Sequence, residues 1–220
     1  LARELVARGH RIRGLVWPRD PRVENLRRMG VELIEGSLTE PDDVVRAVGG
    51  IDAIYHLGAA FQGGGPFADE EYFEINVRGT FNILEAARGE TVDQFLFASS
   101  DALYEKYIPG GMSTPITEET PRAPKGPYAL TKALGEELCN SYWASYGVPT
   151  TILRFAMVRA ADEILDFPEF YLSKMKDTYP ELAALWRGEE SALLLKDEWG
   201  RPFKKHIADV RDIVHGCLCA

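Results

Sequence analysis

The sequence predicts an α/β fold with a doubly wound parallel sheet, and three observations predict it. Short apolar segments alternate with helical ones from the first residue through Phe155. Glycines stand where helices should stop, at Gly9 and Gly30. The segments Ala53 to Leu57 and Phe95 to Ala98 are continuous apolar runs, the pattern of parallel strands covered on both faces.

The elements follow in order. Leu1 to Arg8 reads as a helix, with Leu5 one turn after Leu1, and Arg11 to Val16 as the strand after it. Asn25 to Met29 ends a second helix, and Val31 to Ile34 is a strand. Pro41 to Val48 is a helix for which Thr39 is the expected N-cap. After the strand at Ala53 comes the loop Gly63-Gly64-Gly65-Pro66, a linker or a substrate-side loop. A long helix near Glu70 to Arg88 should place Val77, Phe81 and Leu84 on one stripe. Beyond Ala160 the pattern changes. Ile164 to Trp186 is aromatic and interrupted by Pro168 and Pro180, which suggests short helices, and Leu193 to Phe203 suggests a short hairpin. The chain is thus expected to divide into residues 1–160, carrying the sheet, and a small partial lobe over 161–220.

At 220 residues, with 45% hydrophobic and 27% charged side chains, the chain has enough apolar material for an ordinary globular core. A net charge of −9 argues against non-specific nucleic-acid binding, yet leaves room for a nucleotide held by a local cradle of backbone amides. No apolar run approaches the roughly 20 residues that span a bilayer, and the charged first ten residues do not resemble a signal peptide. The expected location is cytoplasmic. Cys139, Cys217 and Cys219 are odd in number and have no histidines at ligand spacing, so neither a disulfide framework nor a metal site is expected. His56 lies inside an apolar strand and reads as a structural histidine.

Chemistry is concentrated in Pro127-Tyr128-Ala129-Leu130-Thr131-Lys132. On a helix this spacing puts a phenol and an ammonium on one face. A phenol ordinarily titrates near pH 10, and a nearby cation lowers that value, so the pair can serve as a general base toward a hydroxyl. Upstream, an apolar strand ends in Ser99-Ser100 at what should be the sheet's carboxyl edge, where open α/β sheets bind ligands. The serines either hold a substrate oxygen or cap a turn.

This set resembles the extended short-chain dehydrogenase/reductases, of the NAD-dependent epimerase/dehydratase family. The resemblance rests on Ser99-Ser100 followed by Tyr104, on Pro115-Ile116-Thr117-Glu118-Glu119 with Pro124, and on Tyr128 with Lys132. Asp52 to Ala60, Asn76-Val77-Arg78-Gly79-Thr80, Thr151 to Phe155 and His206 to Asp212 agree with it in order and spacing. It covers nearly the whole chain. It implies a Rossmann-like fold with a small substrate lobe, NAD or NADP as cofactor, and a nucleotide sugar as the favoured substrate. It also implies a homodimer formed through the two long helices.

The resemblance implies roles for individual residues. Tyr128 would be the base, Lys132 would lower its pKa and hold the nicotinamide ribose, Ser100 (or Ser99) would hold the reacting oxygen, and Asn76 would support a proton relay. Leu57, Gly58 and Ala59, at the end of the third strand of this chain, would line the cofactor, with Phe155 at the nicotinamide end. Ser37 and Leu38 stand where the family contacts adenine. Val16-Trp17-Pro18-Arg19 replaces the family's ribose-binding acid, and Arg19 favours NADP. Asp101 occupies the position of a dehydratase acid, but Ala102 lacks its companion.

The family's initial strand and Gly-x-x-Gly-x-x-Gly loop have no counterpart here, so the chain reads as truncated at both ends, with two strand edges exposed and dinucleotide binding impaired. The resemblance also admits a ketone or aldehyde reductase of the dihydroflavonol-reductase or hydroxysteroid-dehydrogenase kind, or a non-catalytic cofactor sensor.

Overall fold

Parallel strands carry the structure, a computed structural model that describes residues 1–18, 20–61, 67–106, 108, 112–194, 196, 199–202 and 206–220. Arg19, the loop Gly63 to Pro66, and Leu195 and Phe203 of the expected hairpin lie outside the described residues. The chain forms two units: residues 1–105, 119–155 and 216–220, and residues 106–118 with 156–215.

In the first unit, β1 (Arg13–Val16) pairs in parallel with β2 (Glu32–Glu35), and β3 (Ala53–His56), β4 (Gln94–Ser100) and β5 (Thr150–Phe155) form a parallel sheet in that order. The doubly wound class read from the sequence is what forms. The strand β4 is central because its six residues from Phe95 to Ser100 are all buried, which suits a strand covered on both faces. The strand β3 differs from expectation. Ala53 and Leu57 are exposed, because no strand pairs with its outer edge among the described residues. Between the open edges of β1 and β3 runs a cleft of 1910 Å³.

Helices α1 (Ala2–Ala7), α2 (Val23–Arg28), α3 (Pro41–Val48), α4 (Asp69–Phe73), α5 (Gly79–Arg88) and α6 (Gly126–Tyr146) complete this unit. Thr39 does not cap α3. Its hydroxyl pairs with Ser37 at 2.8 Å, while Asp43 reaches back to accept the Ser37 N–H at 2.9 Å. The residue at the N-cap position is Glu40, which makes no side-chain cap hydrogen bond, and Asp43 instead ties the first turn to the loop before it. Helix α6 stops at Gly147, whose φ of 71° is the left-handed geometry a Cβ would resist.

Between α4 and α5 the residues Glu74–Arg78 form a π-helical turn. Its extra residue shifts the phase of the helix. Of the stripe expected from Val77, Phe81 and Leu84, only Leu84 is fully buried. Phe81 is exposed, and Asn76, Thr80, Ile83, Leu84 and Ala87 face inward. Leu84, Val44, Phe95, Phe97 and Cys139 form the fully buried centre of the core.

The second unit pairs β6 (Met157–Arg159) with β7 (Ile207–Asp209) in parallel. Short helical turns at Ala161–Asp166 and Pro168–Phe170 precede α7 (Leu172–Met175) and α8 (Pro180–Ala183), as the interrupted aromatic pattern implied. Isolated antiparallel bridges join Tyr171 to Ala192 and Lys196 to Pro202. The last helix, α9 (Val210–Cys219), runs from this unit back into the first.

Where α6 crosses β4, a Cβ at Gly135 would overlap the ring of Phe97. Gly135→Ala should destabilise the fold by about 1–3 kcal/mol through overpacking. In α9, Gly216 has nothing within 4 Å, and Gly216→Ala should be neutral or stabilising by up to about 1 kcal/mol. Urea unfolding of the two variants beside the parent chain checks both.

Candidate functional site

The carboxyl end of β4 and the first turns of α6 bring the expected residues together. Pro127 stands in the first turn of α6, where its missing N–H costs nothing, and this sets Tyr128 and Lys132 one turn apart. Ser100 closes β4. Its Oγ accepts the Ala102 N–H at 3.1 Å, so it does cap the short turn Asp101–Leu103. The same hydroxyl acts on the Tyr128 phenol, opposing the upward push of burial on its pKa. The turn-capping reading of this serine is what forms.

Ser99 is not equivalent to Ser100. Successive side chains on a strand point to opposite faces. Ser99 donates to Glu136 Oε1 at 2.6 Å, deep in the protein. Glu136 is the hub of a buried network. Arg154 on β5 donates to it twice, through Nε at 2.8 Å and Nη2 at 2.7 Å, and Arg122 donates through Nη1 at 3.0 Å. Arg154 also donates to the Tyr104 hydroxyl at 2.6 Å. Burial works to raise the Glu136 carboxyl, but the hydrogen bonds from Arg154 and Ser99 and the charge of both guanidinium groups hold it below the ordinary carboxylate range.

Tyr128 and Lys132 do not act on one another as the spacing suggested. The Lys132 ammonium donates to the Ala98 carbonyl at 2.7 Å and lies 5.0 Å from the centre of the Phe97 ring. Burial lowers its pKa to about 8. Burial also raises the Tyr128 phenol, with further upward pressure from Asp101 and Tyr72, and the Ser100 hydroxyl is the influence that lowers it. The expected lowering of the phenol by Lys132 is thus absent from this arrangement, because the amine is directed to the strand backbone. Tyr72 packs edge-on to Tyr128 with ring centres 6.5 Å apart.

Asn76 is buried in the π-helical turn with its amide fully engaged. Its Oδ1 accepts the Ala60 N–H at 2.7 Å, and its Nδ2 donates to Ala60 O at 3.0 Å and to Thr131 Oγ1 at 2.9 Å. It ties the chain after β3 to α6, one residue from Lys132. A relay through this amide would have to break one of those bonds. His56 is the structural histidine expected. Its Nε2 pairs with Thr80 Oγ1 at 2.9 Å, and burial lowers its pKa to about 3.

The residues expected to hold the cofactor line the end of the sheet. Phe155 stands in register beside Ser100. Gly58 closely approaches Leu38, since a Cβ there would lie 3.0 Å from Leu38 Cδ1. Leu38, Leu57, Gly58 and Ala59 all border the cleft between β1 and β3. The Ser37 hydroxyl is taken by Thr39.

A family model for the NAD dependent epimerase/dehydratase family matches residues 1–220. The chain belongs to that family. It is 31% identical over 153 residues to the uncharacterized UDP-glucose epimerase YtcB of Bacillus subtilis, covering 68% of this chain and 46% of that protein. It is 34% identical over 160 residues to the uronate dehydrogenase of Pseudomonas syringae pv. tomato, covering 73% and 53%. It thus spans about half the length of these two relatives. A short-chain dehydrogenase/reductase superfamily protein from Agrobacterium tumefaciens, solved with bound NAD, superposes with a TM-score of 0.82 at 35% identity, over 98% of this chain and 67% of that one.

Glu136 and Arg122 were not picked out by reading the sequence, and Arg154 was seen only as part of a strand. One signal was available for Glu136. It lies four residues beyond Lys132, on the same inward face of α6.

Removing the hub carboxylate leaves two cations facing a buried hole. Glu136→Ala should cost about 3–5 kcal/mol of stability, the range for breaking one side of a buried pair. Because the Glu136 pKa is held down in the fold, its contribution is complete above the ordinary carboxylate value and is lost as pH falls through the folded one. His56 acts in the same direction. Being neutral when folded, its contribution declines from its unfolded value near 6.5 down to about 3. Unfolding midpoints measured from pH 7 to pH 4 should fall, and His56→Gln should flatten the upper part of that decline.

Proposed function

We propose that the chain carries the active site of an NAD(P)-dependent oxidoreductase that acts on a hydroxyl-bearing carbon of a nucleotide sugar. The observation that carries this reading is the placement of Ser100 at the end of β4 where its hydroxyl acts on the Tyr128 phenol in the first turns of α6. A phenol paired with a hydroxyl at that edge is placed to receive a proton from a third oxygen held between them. Ser100 holds the reacting oxygen and Tyr128 takes its proton. Ser99 is committed to Glu136 and takes no part.

Lys132 serves two ends. Its ammonium has three donors, and Ala98 uses one. The remaining donors suit the vicinal hydroxyls of a ribose, and its charge favours the phenolate once nothing else screens it. The bound nicotinamide supplies the hydride acceptor. Asn76 acts as a brace, keeping the turn at Ala60 fixed against α6. The adenosine end of such a cofactor is assigned to the cleft where Trp17, Gly36 and Leu57, the residues that follow β1, β2 and β3, border it. Arg19, outside the described residues, is the reason to favour NADP.

A second reading keeps the same residues and ends at net hydride transfer. It is favoured by the 34% identity to a uronate dehydrogenase and by the unaccompanied Asp101, beside which Ala102 cannot act as an acid. The ketone-reductase alternative falls in this class. A cytoplasmic setting and a homodimer complete the proposal. Phe73, Phe81, Leu130, Trp143 and Tyr146 are exposed on α4, α5 and α6, an apolar surface that a second copy would cover.

Tyr128→Phe should abolish turnover of UDP-sugars or uronates while leaving cofactor affinity within a few-fold. Following absorbance at 340 nm separates the readings: lasting NAD(P)H formation marks a dehydrogenase, and an epimeric product without it marks an epimerase. Unchanged turnover in Tyr128→Phe would remove the mechanism.

A further inference from the structure

Tyr72 is a buried phenol that the chemistry above leaves without a task. Its ring stands between two others, and both meet it edge-on. The Phe67 ring centre lies 5.6 Å away at an interplanar angle of 68°, and the Tyr128 centre lies 6.5 Å away at 67°.

The first of these contacts follows from how α4 begins. Ala68 is the N-cap, so Phe67 is the residue before the cap and Tyr72 the fourth residue of the helix. Apolar side chains at these two places pack together and set the angle at which a chain enters a helix. The Ala68 N–H donates to Glu71 Oε2 at 2.7 Å, which closes the same turn. The Tyr72 ring is therefore held by the start of its own helix, independently of α6.

The second contact is one of a pair. Asn76, four residues after Tyr72, donates to Thr131 Oγ1 at 2.9 Å, and Thr131 in turn donates to the Tyr128 carbonyl at 2.9 Å. Asn76 thus steadies the backbone in the first turns of α6, while Tyr72 meets the side chain of Tyr128. A backbone brace leaves the side-chain torsions of Tyr128 open, and that residue is only half-buried. The edge of a fixed ring restricts them, because aromatic pairs prefer particular angles.

We propose that Tyr72 is a positioning residue, clamped by Phe67, that holds the Tyr128 ring so that its phenol stays at the carboxyl end of β4. This rests on the reading of Tyr128 as proton acceptor, and it names the contact that aims it. The role belongs to the Tyr72 ring, since its phenol pushes the Tyr128 pKa up and so works against the base.

Ring and hydroxyl can be separated by substitution. Tyr72→Phe keeps the ring and should keep kcat on UDP-sugars or uronates within a few-fold of the parent. Tyr72→Leu removes the flat edge and should lower kcat roughly tenfold or more, with KM within a few-fold. Phe67→Leu should act in the same direction, more weakly, and should add nothing in the Tyr72→Leu background. Phe67 is half-buried, so that variant keeps the test open if Tyr72→Leu folds poorly. NMR of isotope-labelled tyrosine rings gives a readout free of substrate. The signal missing from Tyr128→Phe belongs to Tyr128, and it should move in Tyr72→Leu but much less in Tyr72→Phe. Unchanged kcat in Tyr72→Leu, an equal loss in Tyr72→Phe, or an unmoved Tyr128 signal in Tyr72→Leu overturns the positioning role and leaves the oxidoreductase reading intact. If the parent turns over no sugar, the oxidoreductase reading fails, and the Tyr128 signal alone decides whether Tyr72 aims the ring.

Discussion

The buried carboxylate of Glu136 is the constraint on which the rest of the site depends. A charge in that position is tolerated only because every lone-pair direction is met, by Ser99, by two nitrogens of Arg154 and by Arg122. Those partners come from β4, β5 and the chain entering α6. The network therefore fixes the carboxyl edge of the sheet against the helix that bears Tyr128 and Lys132. It also settles which serine faces the phenol. Once Ser99 is turned inward to Glu136, strand alternation leaves Ser100 on the side of Tyr128. A single buried acid decides the assignment that two adjacent serines leave open in the sequence.

A second brace comes from the π-helical turn at Glu74–Arg78. A regular helix from Asp69 to Arg88 would bury the Val77–Phe81–Leu84 stripe. The inserted residue instead turns Asn76 and Thr80 inward, where Asn76 grips Ala60 and Thr131 and Thr80 grips His56. The helix gives up regularity and a large apolar contact at Phe81, and gains three polar fastenings around the end of β3. That exchange is worthwhile only where the position of the β3 end matters, and β3 ends at Leu57, Gly58 and Ala59 on the border of the cleft.

Much of this was legible in the sequence, and the boundary of legibility has a physical cause. The strands, the helix stops at glycine, and the meeting of Ser100 with Tyr128 follow from local periodicity and the geometry of parallel sheets. Three things did not. Thr39 lost its capping role because Glu40 takes the N-cap position before Pro41 and the Thr39 hydroxyl pairs with Ser37, a local choice that propensity does not weigh. The buried stripe of α5 moved because an inserted π-turn residue leaves no mark in an apolar pattern. Glu136 went unremarked because a charged residue on a helix is ordinarily solvated, and its burial is intelligible only once Arg154, eighteen residues on, is seen to reach it. Long-range polar pairing is the part of a fold that composition conceals best.

The electrostatics of Tyr128 show what the site still has to do. Burial, Asp101 and Tyr72 all favour the neutral phenol, and only Ser100 opposes them. A base of this kind must be supplied with positive charge at the moment it accepts a proton. Lys132, one turn further along α6, is a cation that gives one donor to the Ala98 carbonyl and whose charge is disfavoured by burial. Two groups that are each uncomfortable in their charged forms share one helix face. Bringing the ammonium to bear on the phenolate relieves both, because each charge then replaces the solvent the other has lost. Under the proposed mechanism, that is the rearrangement the pair would need before Tyr128 could accept a proton.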